Sequence, residues 1–462
     1  TERAIVRAGE TSADAMAEKA AHVMALMATR LAALGAVGAE PVAAAGVTAF
    51  DFSQERQTFD FDEVYDRVGT DSTKWDGAIA SYGEGIEVGM GVADLDFRAA
   101  PCITRALAER CEHQNWGYLR RPAKYVDAVV DWNQRRYGLE IDPETIQWTA
   151  GVHPAIIAGL LTFAPPGTKV LLTTPAYNGF YSDLRFTKTV AEDSEMKVVD
   201  GRYSIDFEDF ETRAARANVF ILCNPQNPTG NCWSPEDLTR MGEICLKHRV
   251  IVFADEIHCD FVMNGQTYTP FASLPNRDIV DNSVTFKAAS KTFSLAAIKV
   301  AWYFSTNPDL LERMKANTRT DVTTLGMVAN HAGLTEGEAW LDQCRAYIDR
   351  NHDFVESYIR DRIPLLKYRK AQGTYLAWLD VSAVVERVGA KQMAAHESEA
   401  SVSPVTPENV MQRWFAENAR VYLNPGSSFG TGGAGHMRMN IGTPRRMLEH
   451  ALDNLAAALE RV

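Results

Sequence analysis

Three short segments carry residue types whose chemistry makes sense only together. "CNPQNPTGNCW" (223–233) is a turn held tightly by two Asn-Pro pairs and a glycine. "FADEIHCDF" (253–261) places Asp255 and Glu256 at the end of an apolar run, with His258 close behind. "AASKTFSLAAIK" (288–299) sets Lys291 among small residues just after another apolar run. A lysine loses much when dehydrated, so a sheltered one needs a partner or a task. Burial lowers its pKa and makes the amine a nucleophile and a base. The acidic segment by itself reads as an ion pair or half of a metal site. No second His/Asp cluster has ligand spacing, which argues against the metal.

Stepping along the chain shows what would position these groups. From about Thr149 to Ser305, "KVLLTTP", "NVFILCNP", "VIVFADE" and "SVTFKAA" are short apolar runs without alternation, separated by helical stretches. In "SPEDLTRMGEICLKH", Ser234 is the expected N-cap and Pro235 the first helical residue. Runs buried on both faces and joined by helices predict a parallel sheet. Such sheets collect their functional groups at the carboxyl ends of the strands. Asn224, Asp255 and Lys291 all fall at or just beyond such ends. After about Thr335 a long helical stretch, the alternating "GTYLAWLDV" and "HMRMNIG" predict a smaller α+β domain.

The ends and one internal stretch differ. Met16, Ala20, Val23, Met27, Leu31 and Leu34 recur at helical spacing and precede an Ala/Gly/Pro linker. Residues 390–408 are polar and Ser/Ala-rich without clear periodicity, and read as a mobile loop. The expected organisation is a helical extension and linker (1–50), an arm joining the small domain (51–96), a large domain (97–335) and a C-terminal small domain (336–462). The carboxylates of "FDFDEVYD" read as a solvated arm.

Composition narrows the function class. The 462 residues are 46% hydrophobic and 23% charged, ordinary for a globular protein of two or three domains. No apolar run approaches the roughly 20 residues that cross a bilayer. A net charge of -13 argues against a nucleic-acid partner. Seven scattered cysteines without CxxC spacing read as reduced thiols of a cytoplasmic protein.

Taken in order, Asn-Pro-x-Asn-Pro-Thr-Gly, Asp-Glu-Ile-His and Ser-Lys-Thr-Phe resemble fold-type I pyridoxal-phosphate enzymes of the class I/II aminotransferase group. "GVADLDFRAAP", "WGYLRRP", "TPAYNGFY", "GTYLAWLD" and "MRMNIGTP" are similar to its PatB/MalY branch of cystathionine β-lyases and related C–S lyases. The resemblance spans residues 58–462 outside 390–408. It implies an aspartate aminotransferase fold and the cofactor pyridoxal 5′-phosphate. It makes Lys291 the catalytic amine joined to the cofactor aldehyde and Asp255 the partner of the ring nitrogen. Asn227, helped by His258, would meet the ring's phenolic oxygen, and Tyr177 would stack on the ring. The phosphate would rest on amides near Gly151, Val152 and His153, on Ser290 (Ala288 stands where many relatives carry a hydroxyl), and on Lys299. Arg438, with Asn227, would bind the substrate carboxylate. Tyr118 would reach the phosphate of a neighbouring subunit, which implies a homodimer with shared sites.

The implied reaction is β-elimination from a cysteine thioether, cystathionine-like or S-conjugated, to a thiol, pyruvate and ammonia. An aminotransferase needs the same residues, so the lyase reading rests on the branch resemblance. The N-terminal extension and the start at Thr1 also allow a lyase domain of a larger biosynthetic protein, acting on a cysteine conjugate.

Overall fold

The apolar runs of the middle segment lie side by side in a seven-stranded sheet. Its strands are β1 (Gln147–Thr149), β2 (Lys169–Thr174), β3 (Val190–Glu195), β4 (Ala217–Cys223), β5 (Ile251–Asp255), β6 (Ser283–Lys287) and β7 (Ala301–Phe304), in the order β1-β7-β6-β5-β4-β2-β3. Neighbours from β3 to β6 are parallel, and β7 runs antiparallel to both β6 and β1. This is a computed structural model, and it describes residues 58–120, 123–319 and 321–462.

Helices cover the sheet as the apolar runs require. Among them are α1 (Val152–Phe163), α2 (Asn178–Thr187), α3 (Pro235–His248) and the short α4 (Ala289–Thr292). Helix α3 begins as its sequence predicts: the Ser234 side chain accepts from the Asp237 amide, and Pro235 occupies the first turn. Apolar clusters fill both faces of the sheet, with Phe253 and Phe286 in one and Phe220 and Val252 in another.

The C-terminal segment forms a second, three-stranded antiparallel sheet: β8 (Leu376–Asp380), β9 (Asn424–Pro425) and β10 (His436–Asn440), in the order β8-β10-β9. It has its own apolar cluster, shared with α5 (Glu338–Arg362), α6 (Ala390–Ala400), α7 (Pro407–Asn418) and α8 (Arg445–Leu459). Residues 59–462 form one compact unit. Among the described residues, no helix is long and apolar enough to cross a membrane.

Two expectations are corrected. The predicted loop at 390–408 is mostly helical: α6 runs to Ala400, and only 401–406 is irregular before α7. Alanine-rich sequence favours helix, and Ala390 and Ala394, four residues apart, give α6 a buried contact too small to show as periodicity. The "FDFDEVYD" arm is packed as well as solvated. Its carboxylates point outward, but Phe61 is buried against Phe97, Trp340 and Tyr347. The predicted helix and linker in residues 1–50 lie outside the described residues.

Candidate active site

Parallel strands that end level with one another deliver their following residues to one place. Cys223 of β4 pairs with Asp255 of β5, which pairs with Phe286 of β6. Asn227 follows β4, Lys291 follows β6, Tyr177 follows β2, and Gly151 follows β1 at the N-cap of α1. A cavity of about 350 Å³ lies at these ends. Gly151, Val152, His153, Tyr177, Asn227, Asp255, His258, Ser290, Lys291 and Lys299 all line it, so ten of the predicted site residues share one wall.

Two lysines stand at the end of the same strand in different surroundings, Lys287 as its buried last residue and Lys291 half-buried four residues on. Lys287 lies 3.8 Å from Glu256 and over the rings of Tyr137 and Tyr268, which offset the cost of its burial. Lys291 has no ion-pair partner among the described residues, and its Nζ donates to the Ala93 carbonyl at 2.7 Å. Burial, reinforced by the nearby Arg438 cation, pulls its pKa down to about 8. A substantial share of the amine is therefore neutral near physiological pH.

Asp255 is buried at the end of β5, with one oxygen accepting from the Ile257 amide at 3.2 Å. Burial raises its pKa from 3.8 to about 6. Because the folded value lies above the unfolded one, the stability tied to this group is full below about pH 4 and is lost as pH rises through 6. The difference corresponds to about 3 kcal/mol. Without a cation beside it, Asp255→Asn should therefore be more stable than the unsubstituted protein at pH 7, and the gap should close toward pH 4. Urea unfolding of both cofactor-free proteins across that range checks this; a gap independent of pH would refute it.

Arg438, on β10, is only 2% exposed and has no carboxylate partner among the described residues. Its Nη1 donates to Asn227 Oδ1 at 3.0 Å and its Nη2 to the Gly91 carbonyl at 2.9 Å, while its Nε is buried without a partner. The guanidinium lies over the Phe429 ring at 4.9 Å. Its pKa falls to about 10 through burial, so it stays charged at neutral pH. A buried, unneutralised guanidinium with a free donor is suited to an incoming carboxylate.

His258 is buried with an unpartnered Nδ1, and burial, then Lys291 and Arg438, hold its pKa well below the ordinary value. It is a neutral imidazole, packed edge-on against Tyr375. Gly151 caps α1, whose first-turn amides have no intrahelical acceptors and offer an anion site beside Ser290 and Lys299. Tyr118 does not join the cavity; it stands fully exposed.

Sequence reasoning missed the strap that closes the site. Gly91 and Ala93 offer carbonyls to Arg438 and Lys291, and Tyr375 also donates to Ala93, at 3.0 Å. Asn440 ties the strap down through the Val92 and Asp94 carbonyls. Arg67 and Lys74 grip Asp94 and Asp96 behind it. These contacts join residues up to 348 positions apart and use backbone acceptors, which no side-chain motif announces.

The model of the family "Aminotransferase class I and II" matches residues 86–455. The chain is 37% identical to cystathionine beta-lyase PatB of Bacillus subtilis (strain 168), over 86% of this chain and 99% of that protein. Among solved structures, cystalysin from Treponema denticola, which contains a pyridoxal 5′-phosphate cofactor, superposes with a TM-score of 0.80 at 28% identity, covering 88% of this chain and all of that one. The PLP-bound C-S lyase from Staphylococcus hominis gives a TM-score of 0.76 at 28% identity, covering 87% of this chain and 98% of that one.

Proposed function

The chain belongs to the aminotransferase class I and II family, and from that footing we propose that it is a pyridoxal 5′-phosphate-dependent carbon–sulfur β-lyase of cysteine thioethers. The observation that carries this reading is a half-buried amine with a buried carboxylate and a buried guanidinium around one site, none neutralised by an ion pair among the described residues. Each is costly there unless a charged ligand completes it.

These residues fit the cofactor. Lys291 would anchor the aldehyde, Asp255 would pair with the ring nitrogen, and Asn227 and His258 would serve the phenolic oxygen. Tyr177 would stack on the ring. The amides at Gly151, Val152 and His153, with Ser290 and Lys299, would take the phosphate. When bound, the cofactor supplies an electron sink for the pair left on Cα as its proton departs. The amine of Lys291 takes and returns that proton. Arg438 and Asn227 hold the α-carboxylate, fixing the Cα–H bond toward the lysine.

Elimination is favoured over transamination by likeness to a protein named cystathionine beta-lyase. Incubation with cystathionine, cystine and S-alkyl cysteines, with no keto acid added, should give steady release of thiol and pyruvate. Turnover that stops after one equivalent and resumes only with a keto acid would make the protein a transaminase.

A homodimer accompanies this reading, with the exposed Tyr118 of one copy completing the phosphate site of the other. Subunit exchange between Tyr118→Phe and Lys291→Ala proteins should restore activity, because one site of the mixed dimer carries neither change. No recovery after demonstrated exchange would argue against the shared site. The two sheets, each with an apolar cluster of its own, support a large domain at 97–335 and a small one at 336–462, joined by a third cluster that runs from Phe61 to Leu376. All seven cysteines are unpaired, which supports a cytoplasmic setting.

A further inference from the structure

We infer that His153 and Asp183 form a positioning pair for the hydroxyl of Tyr177 and, through it, for the sulfur that leaves Cβ. The chemical half of this rests on the lyase reading above; the pair itself does not.

His153 is the second residue of α1, and Asp183 lies midway along the neighbouring α2. Asp183 is 5% exposed, and its Oδ2 is 2.6 Å from His153 Nδ1. On the other side of the imidazole, Nε2 is 3.3 Å from the Tyr177 hydroxyl, with the two rings 5.4 Å apart. Space has been kept for this arrangement. A Cβ at Gly179 would fall 2.4 Å from His153 Cε1 and 2.5 Å from Tyr177 Cε1, so a side chain there would push the two rings aside.

Both contacts are met by a neutral imidazole, with Nδ1–H donating to Asp183 and Nε2 accepting from the phenol, and by the doubly protonated form, with Nδ1–H donating to Asp183 and Nε2–H to the phenol oxygen; pairing with Asp183 favours the second. Tyr177 is then the acceptor in that bond, and its own proton is left to point into the cavity it lines with Lys291. The groups acting on His153 are Asp183 and Tyr177 on its two flanks, Asp255 from β5 and Lys291 from α4. Burial opposes its charge, but pairing with Asp183 prevails and its pKa is raised. Burial also raises that of Tyr177, which gives up its proton only when another reaches its oxygen in the same step.

The departing thiolate is a weaker base than a tyrosinate, so it takes that proton only because His153 replaces it in the same step. As the Cβ–S bond breaks, its electron pair stays on sulfur, and the Tyr177 proton passes to it to give the thiol. The Nε2 proton of His153 moves to the phenol oxygen. The imidazole, whose side chain is 40% exposed, recovers a proton from solvent. Atoms and charge balance without any further reactant.

Two measurements test the pair. In the cofactor-free protein, NMR titration should show His153 protonated to a pH above the ordinary 6.5, and Asp183→Asn should bring it below that value. In the loaded enzyme, His153→Gln and Asp183→Asn should each lower kcat about 10- to 100-fold, the scale of one lost hydrogen bond to a charged group, with little change in KM. In a Tyr177→Phe background the same changes should cost less than about twofold. An unshifted His153 titration, or a full-sized loss in the Tyr177→Phe background, would overturn the proposal. Should the unsubstituted enzyme release neither thiol nor pyruvate, the lyase reading fails and the titration alone judges the pair.

Discussion

Replacing Lys291 with alanine is expected to slow turnover of a cysteine thioether by about 10⁴-fold or more. Two contributions are lost together, the anchoring amine and the base at Cα, and acid–base catalysis alone typically contributes about 10² to 10⁴. No described neighbour replaces it: Lys287, four residues earlier, is held between Glu256 and two tyrosine rings. Asp255 and the helix amides at Gly151 remain, so the variant should still take up cofactor, now reversibly. The unsubstituted protein should be yellow, and borohydride should fix the chromophore onto Lys291, as located by mass spectrometry. An adduct on another lysine, or an alanine variant retaining more than about a hundredth of the activity, would overturn the assignment.

Arg438→Ala is expected to lower kcat/KM by about 2 to 5 kcal/mol, or roughly 30- to several thousand-fold. The change removes the positive charge that awaits a carboxylate and leaves Asn227 Oδ1 and the Gly91 carbonyl without their donor. Arg438→Lys should recover little, because one ammonium cannot span both acceptors and a carboxylate as the planar fork does. Cofactor absorbance should persist in both variants, which separates loss of substrate binding from loss of the site. A change of less than about threefold in the alanine variant would remove Arg438 from the substrate site.

Much of this was readable in the chain because the chemistry sits on local motifs. A strand end followed by a tight turn is specified within ten residues by apolar runs, asparagine, proline and glycine. Asn224, Asp255 and Lys291 could therefore be placed at strand ends before any contact was known. The resemblance then attached roles to the last two. Helix α6 was missed because two buried alanines leave almost no hydrophobic signal, and the packing of Phe61 was hidden by the carboxylates around it.

Sequence alone determined the fold class and four strands of the parallel sheet, since these depend on residue type and near-neighbour pattern, and the resemblance pointed to the amine, carboxylate and guanidinium proposed for the site. Only the tertiary structure decided which lysine at the end of β6 lacks a counter-ion, that Arg438 has an unused donor, and that the strap at 91–96 lends its carbonyls to both. It also decided that His153 faces Asp183 and Tyr177 across two helices. The physical reason is that desolvation and hydrogen bonding depend on what surrounds a group in space. That environment is assembled from segments up to hundreds of residues apart, and no local pattern encodes it.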